Sequence, residues 1–319
     1  GCLHPTKHRG HNEVGQRARD TMRKAGRITP LLQSYDISSY ALDDVESKMS
    51  HYRSSSELSR FNQTRATAPF PVSAETFDVI RHAYQLSELT GGALDVTVAP
   101  LVNAWGFGPV EPEMLPPDAA LLARLRDHMG YTKLELDPVA STLRKTDPEL
   151  ECDLSAVAKG YGVDQVAEVL REEGVTRFMV EVGGEIVAVG LNQQGGPWRI
   201  AIERPVMEGG VQRVVLLSGH AMATSGDYRN YFEQDGVRYS HTIDPRTGRP
   251  ITHTLASVTV LDPSCAFADA MATALSVMGT ERALALAEAQ DLPVYIIEKG
   301  EEGFVSRYSS AFAPYLPKE

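Results

Sequence analysis

The segment over residues 240–273 constrains the fold more than any other part of the chain. Its first part runs His241-Thr242-Ile243-Asp244-Pro245-Arg246-Thr247-Gly248. Asp-Pro followed by Thr-Gly predicts a tight reversal that leaves His241 and Asp244 near an exposed bend. A strand is predicted over residues 257–261, and a helix over residues 268–275 follows it. A sharp turn, a strand and a helix are therefore expected in immediate succession.

The predicted helix consists mostly of small residues, and its strong anion is Asp269. Thr273 lies four positions later, so the carboxylate and the hydroxyl fall on one helix face, a single turn apart. Two hard oxygen donors in this arrangement suit a cation such as Mg²⁺. The alternative is that Asp269 caps the helix while Thr273 bonds back to a carbonyl oxygen.

Composition sets the broad class. The 319 residues can form one large domain or two smaller ones, and 42% are hydrophobic and 23% charged, as in ordinary globular proteins. No apolar run approaches the ~18 residues of a membrane span. A net charge of -11 without a basic stripe argues against a nucleic-acid partner. An anionic ligand would need a metal ion, helix N-termini or a few local Lys and Arg side chains.

The three cysteines show no paired spacing, which argues against a zinc site and a disulfide framework. Cys152 and Cys265 are expected to be small buried hydrophobic residues. Cys2, directly after Gly1, has the position of the acylated cysteine of a processed lipoprotein, although a chance N-terminal cysteine is the alternative. Residues 1–30 lack apolar periodicity and are predicted to be a flexible tether.

Apolar periodicity predicts alternating helices and strands along the rest of the chain. The expected helices cover residues 42–50, 73–90, 118–128, 281–289 and a long amphipathic segment from about residue 162. The expected strands cover residues 133–137, 141–145, 178–189 with a Gly183-Gly184 interruption, 198–203, 214–217, 293–298 and 304–308. Residues 105–117 are predicted to be a surface loop and residues 222–228 a small polar turn.

Two further places suggest ligand contacts. Tyr52 lies in a polar loop and could stack on an aromatic ligand, or pack its ring while its hydroxyl stays in water. Residues 153–162 are rich in small side chains and carry Asp153 and Lys159. A glycine-containing helix start of this kind can hold phosphate through its free N–H groups, although the segment lacks the Walker pattern.

Several motifs occur together in one order. They are residues 49–62, 91–102, 153–166, Gly183-Gly184, residues 224–228, 241–250 and 268–279. In this combination the chain, over about residues 42–300, resembles the ApbE-type FAD:protein FMN transferases of the bacterial periplasm and cell surface. The resemblance implies an α+β fold with a mixed or mainly antiparallel sheet, packed with helices in a T-fold-like core, and a single flavin transferase domain over residues 31–319.

The resemblance also implies the chemistry. FAD is the substrate, its FMN half passes to a Thr or Ser hydroxyl of an acceptor protein as a phosphoester, AMP leaves, and Mg²⁺ lies on the pyrophosphate. The residues that match the family's metal ligands are Asp269, Thr273 and, through its backbone oxygen, Ala156. The residues at flavin-site positions are Tyr52, Ala93, Leu94, Asp95, Asp153 and Lys159. His241 matches the histidine expected to act as base, a role suited to an imidazole with an ordinary pKa near 6.5.

The chain departs from the family pattern at one place. Family members carry a Met-Gly-Thr strand before the first helix, whereas Asp20-Thr21-Met22-Arg23-Lys24-Ala25-Gly26 and residues 27–41 show no clear strand. The resemblance further implies a lipoprotein at the periplasmic side of the inner membrane. Its expected partner is an acceptor such as a respiratory Na⁺ or electron-transport subunit. Two alternatives stay open: an FAD pyrophosphatase that releases FMN and AMP, and a non-catalytic flavin-binding lipoprotein.

Overall fold

A computed structural model describes residues 30–108, 115–206, 209–226, 231–234 and 237–318. The predicted tether, Cys2 and the Met22 region lie outside the described residues. The helices are α1 (Pro30–Met49), α2 (Glu57–Gln63), α3 (Ala74–Leu89), α4 (Ala99–Ala104), α5 (Ala119–Asp127), α6 (Ala158–Glu172), α7 (Cys265–Met278) and α8 (Thr280–Ala289), with 3-10 turns at Tyr131–Lys133 and Ser310–Tyr315. No helix in this part of the chain is long and apolar enough to cross a membrane.

The strands complete an α+β fold, as predicted. They are β1 (Phe70–Pro71), β2 (Leu134–Asp137), β3 (Thr142–Lys145), β4 (Phe178–Val182), β5 (Glu185–Val189), β6 (Trp198–Glu203), β7 (Val211–Leu217), β8 (His220–Gly226), β9 (Tyr231–Gln234), β10 (Val237–Ser240), β11 (Ile243–Asp244), β12 (Arg249–Pro250), β13 (Leu255–Asp262), β14 (Val294–Gly300) and β15 (Gly303–Tyr308). The largest sheet among the described residues has six antiparallel strands in the order β15-β14-β13-β8-β5-β4.

The six-stranded sheet is covered on both faces. On one face, Val258 and Val260 of β13 join a core with Ala268 and Met271 of α7. On the other face, Leu261 joins a second core with residues of the β6–β7 hairpin and the C-terminal 3-10 turn. Because neither face meets water, β13 is buried from Leu255 to Leu261, and its side chains are apolar apart from Ser257, Thr259 and the terminal Asp262.

Several helix starts follow their sequence signals. Ser73 accepts a hydrogen bond from the Thr76 N–H and Asp118 accepts one from the Leu121 N–H, so α3 and α5 begin where expected. The predicted start of the first helix at residue 42 is wrong, because α1 begins at Pro30. Proline is well suited to a first helical turn, and Leu31, Leu32 and Tyr35 have the three- and four-residue spacing of a helix, so the sequence does carry a signal for this earlier start.

The prediction of a turn over residues 222–228 is also wrong in its described part. Residues 222–226 belong to β8, which pairs with β5 and β13, while Asp227 and Tyr228 lie outside the described residues. Thr224 and Thr259 face each other across this pairing with their hydroxyl oxygens 2.9 Å apart. The small side chains Ala221 and Ala223 let α7 pack against the strand, so they serve packing instead of a turn.

Asp164 of α6 fixes the N-terminus of α7. Its carboxylate accepts hydrogen bonds from the Ser264 hydroxyl at 3.0 Å and from the Cys265 and Ala266 N–H groups at 2.9 Å each. Burial raises the pKa of Asp164, and these donors oppose that rise. The contact satisfies N–H groups that a helix start otherwise leaves without partners.

Replacing Asp164 by Ala should therefore destabilise the protein by about 2 kcal/mol, since the buried donors would lose their acceptor. Urea unfolding at neutral pH measures this change. Glu168→Gln on the exposed side of the same helix, where Glu168 pairs with Arg171, is the matched control and should change the free energy of unfolding by less than about 0.5 kcal/mol. Equal effects of the two substitutions would contradict the capping role.

Candidate functional site

Two helices, α6 and α7, approach each other closely at Gly160. A β-carbon placed on Gly160 would lie 2.3 Å from the carbonyl oxygen of Cys265, so only glycine fits there. Gly160 is in the first turn of α6, directly after Lys159, and α7 presents Asp269 one turn beyond Cys265. The close approach brings Lys159 and Asp269 together, although they are 110 positions apart in the sequence.

Gly160→Ala should push the two helices apart. We expect a loss of about 2 kcal/mol in stability from overpacking, larger than the gain of about 1 kcal/mol that alanine brings to a helix. Gly162→Ala in the same helix is the control, because its β-carbon would meet a movable side-chain atom, Leu42 Cδ2, at 3.0 Å. Thermal unfolding of both variants tests this, and a Gly160→Ala protein as stable as the control would contradict it.

Lys159 lies between two buried carboxylates. Its Nζ is 3.0 Å from Glu185 Oε1 and 3.0 Å from Asp269 Oδ1. The Gly160 N–H donates to Asp269 Oδ2 at 3.0 Å. Ser264, whose hydroxyl accepts from the Phe267 N–H, caps α7. The alternative in which Asp269 caps its own helix is therefore wrong.

The electrostatics of this cluster are set by burial. Asp269 is 4% exposed and Glu185 is 2% exposed. Burial raises the pKa of Asp269, although Lys159 and the Gly160 N–H act in the opposite direction. Burial and the charge of Asp269 raise the pKa of Glu185 to about 7. Burial alone would lower the pKa of Lys159, but the two carboxylates raise it overall.

The other two predicted metal ligands are Thr273 and Ala156. Thr273 follows Asp269 by one turn on α7, and Ala156 lies just before α6; both are partly buried. With both acids ionised, the cluster of Lys159, Glu185 and Asp269 carries one net negative charge, and Glu185 Oε2 is buried without a hydrogen-bond partner. The carboxylate of Asp269, the hydroxyl of Thr273 and the backbone carbonyl of Ala156 offer the oxygen ligands that a hard divalent cation prefers. Within the described residues no group of three His, Cys, Asp or Glu side chains could hold a metal, so hydroxyl or carbonyl oxygens would have to contribute.

The loop before α6 brings several predicted flavin-site residues together. Asp153 Oδ1 accepts from the Ser155 N–H at 2.8 Å and lies 3.2 Å from His51 Nδ1. The His51 ring centroid is 4.2 Å from that of Tyr52, which is 54% exposed. The Asp153 N–H donates to the carbonyl oxygen of Val96 at 2.6 Å. This hydrogen bond ties the loop to the segment that contains Ala93, Leu94 and Asp95.

Asp95 shapes the wall of a cavity of about 460 Å³. Its Oδ1 accepts from the Thr97 N–H and hydroxyl, and its Oδ2 accepts from the Tyr131 N–H. Ala93 and Leu94 are buried beside it. Pro245 and Arg246 also line the cavity, and Arg246 makes a paired salt bridge to Asp244 with both N–O distances at 2.9 Å. The cavity therefore lies between two segments that sequence analysis had selected.

His241 lies in a separate aromatic cluster at the end of β10. Its ring centroid is 6.3 Å from that of Phe107, in an edge-to-face arrangement. The predicted turn is present: β11 and β12 pair Asp244 with Arg249, and the turn between them holds Gly248 at a φ of 73°. The prediction that Trp105 lies in a surface loop is wrong, because Trp105 is 1% exposed and its Nε1 donates to the Gly248 carbonyl oxygen.

Two residues complete the site that the sequence motifs do not single out. Glu185 begins β5 directly after Gly183-Gly184, and a glutamate placed just before an apolar strand is a signal for a buried charge that needs a partner. His51 lies in the predicted polar loop beside Tyr52. Cys152 and Cys265 are buried free thiols whose pKa values are raised by burial, in agreement with the absence of any assigned chemistry.

These features define an α+β protein with a charged polar site at a helix–helix junction and a cavity lined by Asp95 and Arg246. The ApbE family model matches residues 27–296. The chain is 54% identical over 279 residues to the FAD:protein FMN transferase of Vibrio cholerae, covering 87% of this chain and 83% of the relative. It is 49% identical over 276 residues to the enzyme of the same name from Haemophilus influenzae, covering 85% and 80%.

Solved structures of proteins with the ApbE name also match the fold of this chain. The flavin transferase ApbE from Vibrio cholerae matches with a TM-score of 0.84 and 49% identity, over 91% of this chain and 92% of that chain. The apo form of the Pseudomonas stutzeri flavinyl transferase ApbE matches with a TM-score of 0.83 and 38% identity, over 91% and 90%. The chain belongs to the ApbE family.

Proposed function

We propose that this protein transfers the FMN half of FAD to a Thr or Ser hydroxyl of an acceptor protein, with Mg²⁺ in the site and AMP as the leaving product. The observation that carries the proposal is the cluster of Lys159, Glu185 and Asp269 at the N-terminus of α6 in a member of the ApbE family. It is supported by relatives named FAD:protein FMN transferase.

The chain's own residues bind and orient FAD in this proposal. Lys159 supplies a positive charge for the pyrophosphate at the N-terminus of α6, where the helix dipole also favours an anion. Tyr52 and the Asp153 loop hold the flavin half, and Ala93, Leu94 and Asp95 contribute the wall formed by their buried segment. Burial of Glu185 and Asp269 strengthens the electrostatic contacts of these two carboxylates by keeping water away from them.

The residues proposed to hold Mg²⁺ are Asp269, Thr273 and the carbonyl oxygen of Ala156. When bound, the ion supplies positive charge to the pyrophosphate oxygens, as divalent ions do in other phosphoryl transfers.

His241 is proposed as the base for the acceptor. The hydroxyl oxygen of the acceptor attacks the phosphorus on the FMN side, and its proton passes to the imidazole. The bond from that phosphorus to the bridging oxygen breaks, and AMP leaves with the bridging oxygen. The product is a phosphoester between FMN and the acceptor side chain.

The test is incubation of the protein with FAD, Mg²⁺ and a Thr-containing acceptor, such as a respiratory Na⁺-pump or electron-transport subunit. A fluorescent acceptor band with an FMN-sized mass addition on Thr or Ser is expected, and EDTA should abolish it. Free FMN and AMP at the same rate without acceptor would indicate a pyrophosphatase instead. Intact FAD that stays bound for hours in Mg²⁺ would indicate a non-catalytic flavin-binding protein. The lipid on Cys2 and the periplasmic location stay predictions.

A further inference from the structure

Glu185 is a buried acid without an assigned role in the reaction. It begins β5 directly after the Gly183-Gly184 turn and is 2% exposed. Its Oε1 contacts Lys159 Nζ, whereas its Oε2 is buried and has no hydrogen-bond partner among the described residues. A β-carbon on Gly183, which has a φ of 64°, would lie 3.4 Å from Oε2 and 3.8 Å from Lys159 Cδ. Because Gly183 has no side chain, residue 183 places no β-carbon against Glu185 Oε2.

Lys159 has one positive charge for two carboxylates. Its side chain is 48% exposed, while those of Glu185 and Asp269 are 3% and 6% exposed, so the lysine covers both acids from the solvent side. Its ammonium group has equal 3.0 Å contacts to the two acids. A second cation at Asp269 would repel this ammonium group, and the unpartnered Oε2 of Glu185 offers lone pairs toward which it can move.

We propose that Glu185 is a positioning residue: as a second counter-ion, it draws Lys159 away from Asp269 and leaves the Asp269 carboxylate available to a divalent ion. This inference rests on the proposed function, because it concerns the same site. It predicts that the charge of Glu185 governs the affinity for the metal ion through Lys159, without any contact between Glu185 and the reacting atoms.

Loss of the Glu185 charge should weaken the binding of a metal ion at Asp269 in two ways. Lys159 would pair with Asp269 alone and compete with the metal ion for its oxygens. With Lys159, Glu185 and Asp269 all ionised, the three side chains carry a net charge of -1, and loss of the Glu185 charge would change it to 0. Both effects weaken the attraction for a cation in a buried site.

The first experiment measures Mn²⁺ binding by the EPR signal of the free ion, at pH 8, with FAD present and no acceptor protein. Glu185→Gln should weaken Mn²⁺ binding about tenfold, which corresponds to a coupling of about 1.4 kcal/mol. The concentration of Mg²⁺ that half-saturates FMN transfer should rise by the same factor, while kcat at saturating Mg²⁺ stays within about threefold. Glu185→Asp, which keeps the charge, should restore most of the affinity.

The matched control is Glu181→Gln. Glu181 is an exposed acid on the neighbouring strand, and its side chain accepts from the Gly184 N–H at 3.1 Å without contact to Lys159. This variant should bind Mn²⁺ like the wild type. A general disturbance of the Gly183-Gly184 turn would instead weaken both variants.

A double-mutant cycle decides whether Glu185 acts through Lys159. In a Lys159→Met background, Glu185→Gln should lower the Mn²⁺ affinity by less than about threefold, because no ammonium group is left to compete and only the change in net charge remains. A full tenfold loss in that background, or unchanged affinity in the single variant, would overturn the inference. Wild-type protein that binds no Mn²⁺ in the presence of FAD would overturn the proposed function as well, so the two failures are distinguishable.

Discussion

Asp269→Asn should reduce FMN transfer by about 10³-fold, the range seen when a group that stabilises transition-state charge is removed. The substitution keeps the size of the side chain and leaves one oxygen for the Gly160 N–H. It removes the negative charge that Lys159 now shares and that the proposed metal ion needs. Initial rates of formation of the fluorescent acceptor, at saturating FAD and Mg²⁺, measure the effect.

The loss of activity in this variant should come without a loss of stability. Asp269 and Glu185 are both buried beside one lysine, and burial of a charged carboxylate is unfavourable. After the substitution, Lys159 and Glu185 form a neutral pair, so we expect the melting temperature to stay the same or rise. Asp78→Asn, at an exposed acid that pairs with Arg81, is the control and should leave transfer unchanged. Normal transfer by Asp269→Asn would remove Asp269 from the proposed metal site.

His241→Ala should slow transfer to the acceptor by about 10³-fold, within the range that general base catalysis contributes. If His241 takes the proton of the acceptor hydroxyl, binding of FAD should be nearly unaffected, because the imidazole acts on the other reactant. Quenching of flavin fluorescence measures binding, and the acceptor assay measures transfer. Added imidazole should recover part of the lost rate, since a small base can occupy the space left by the side chain.

His82→Ala provides the control for His241. His82 is an exposed histidine on α3, and its replacement should change neither binding nor transfer. Equal loss of FAD affinity and transfer rate in His241→Ala would indicate a binding residue instead of a base. A rate close to that of the wild type would require another group to accept the proton.

Much of the local structure follows from short-range signals in the sequence. Ser73 and Asp118 mark helix starts because their side chains accept a hydrogen bond from an N–H group two or three residues on, a contact that depends on neighbouring positions only. Asp-Pro-Arg-Thr-Gly determined the turn between β11 and β12 for the same reason. The alternating hairpin of β2 and β3 also followed from short-range pattern.

The role of the small residues depends instead on how distant elements pack against them. Residues 222–226 have the composition of a turn, yet they form a strand because α7 packs against them and both neighbouring strands supply hydrogen bonds. Gly160 looked like part of a phosphate loop, and its main structural effect is to admit the backbone of α7. Trp105 looked like a loop residue and is buried against the turn at Gly248.

The cluster of Lys159, Glu185 and Asp269 likewise depends partly on local sequence and partly on packing. Lys159 and Asp269 are candidate site residues from their local sequence and from the family resemblance, without any indication that they touch. The role of Glu185 depends on the packing of β5, α6 and α7 against one another. This packing places Glu185 Oε1 and Asp269 Oδ1 each 3.0 Å from Lys159 Nζ. Local pattern determines which residues form a helix or a turn, whereas the contacts between distant charges depend on how those elements pack, and packing is a property of the whole chain.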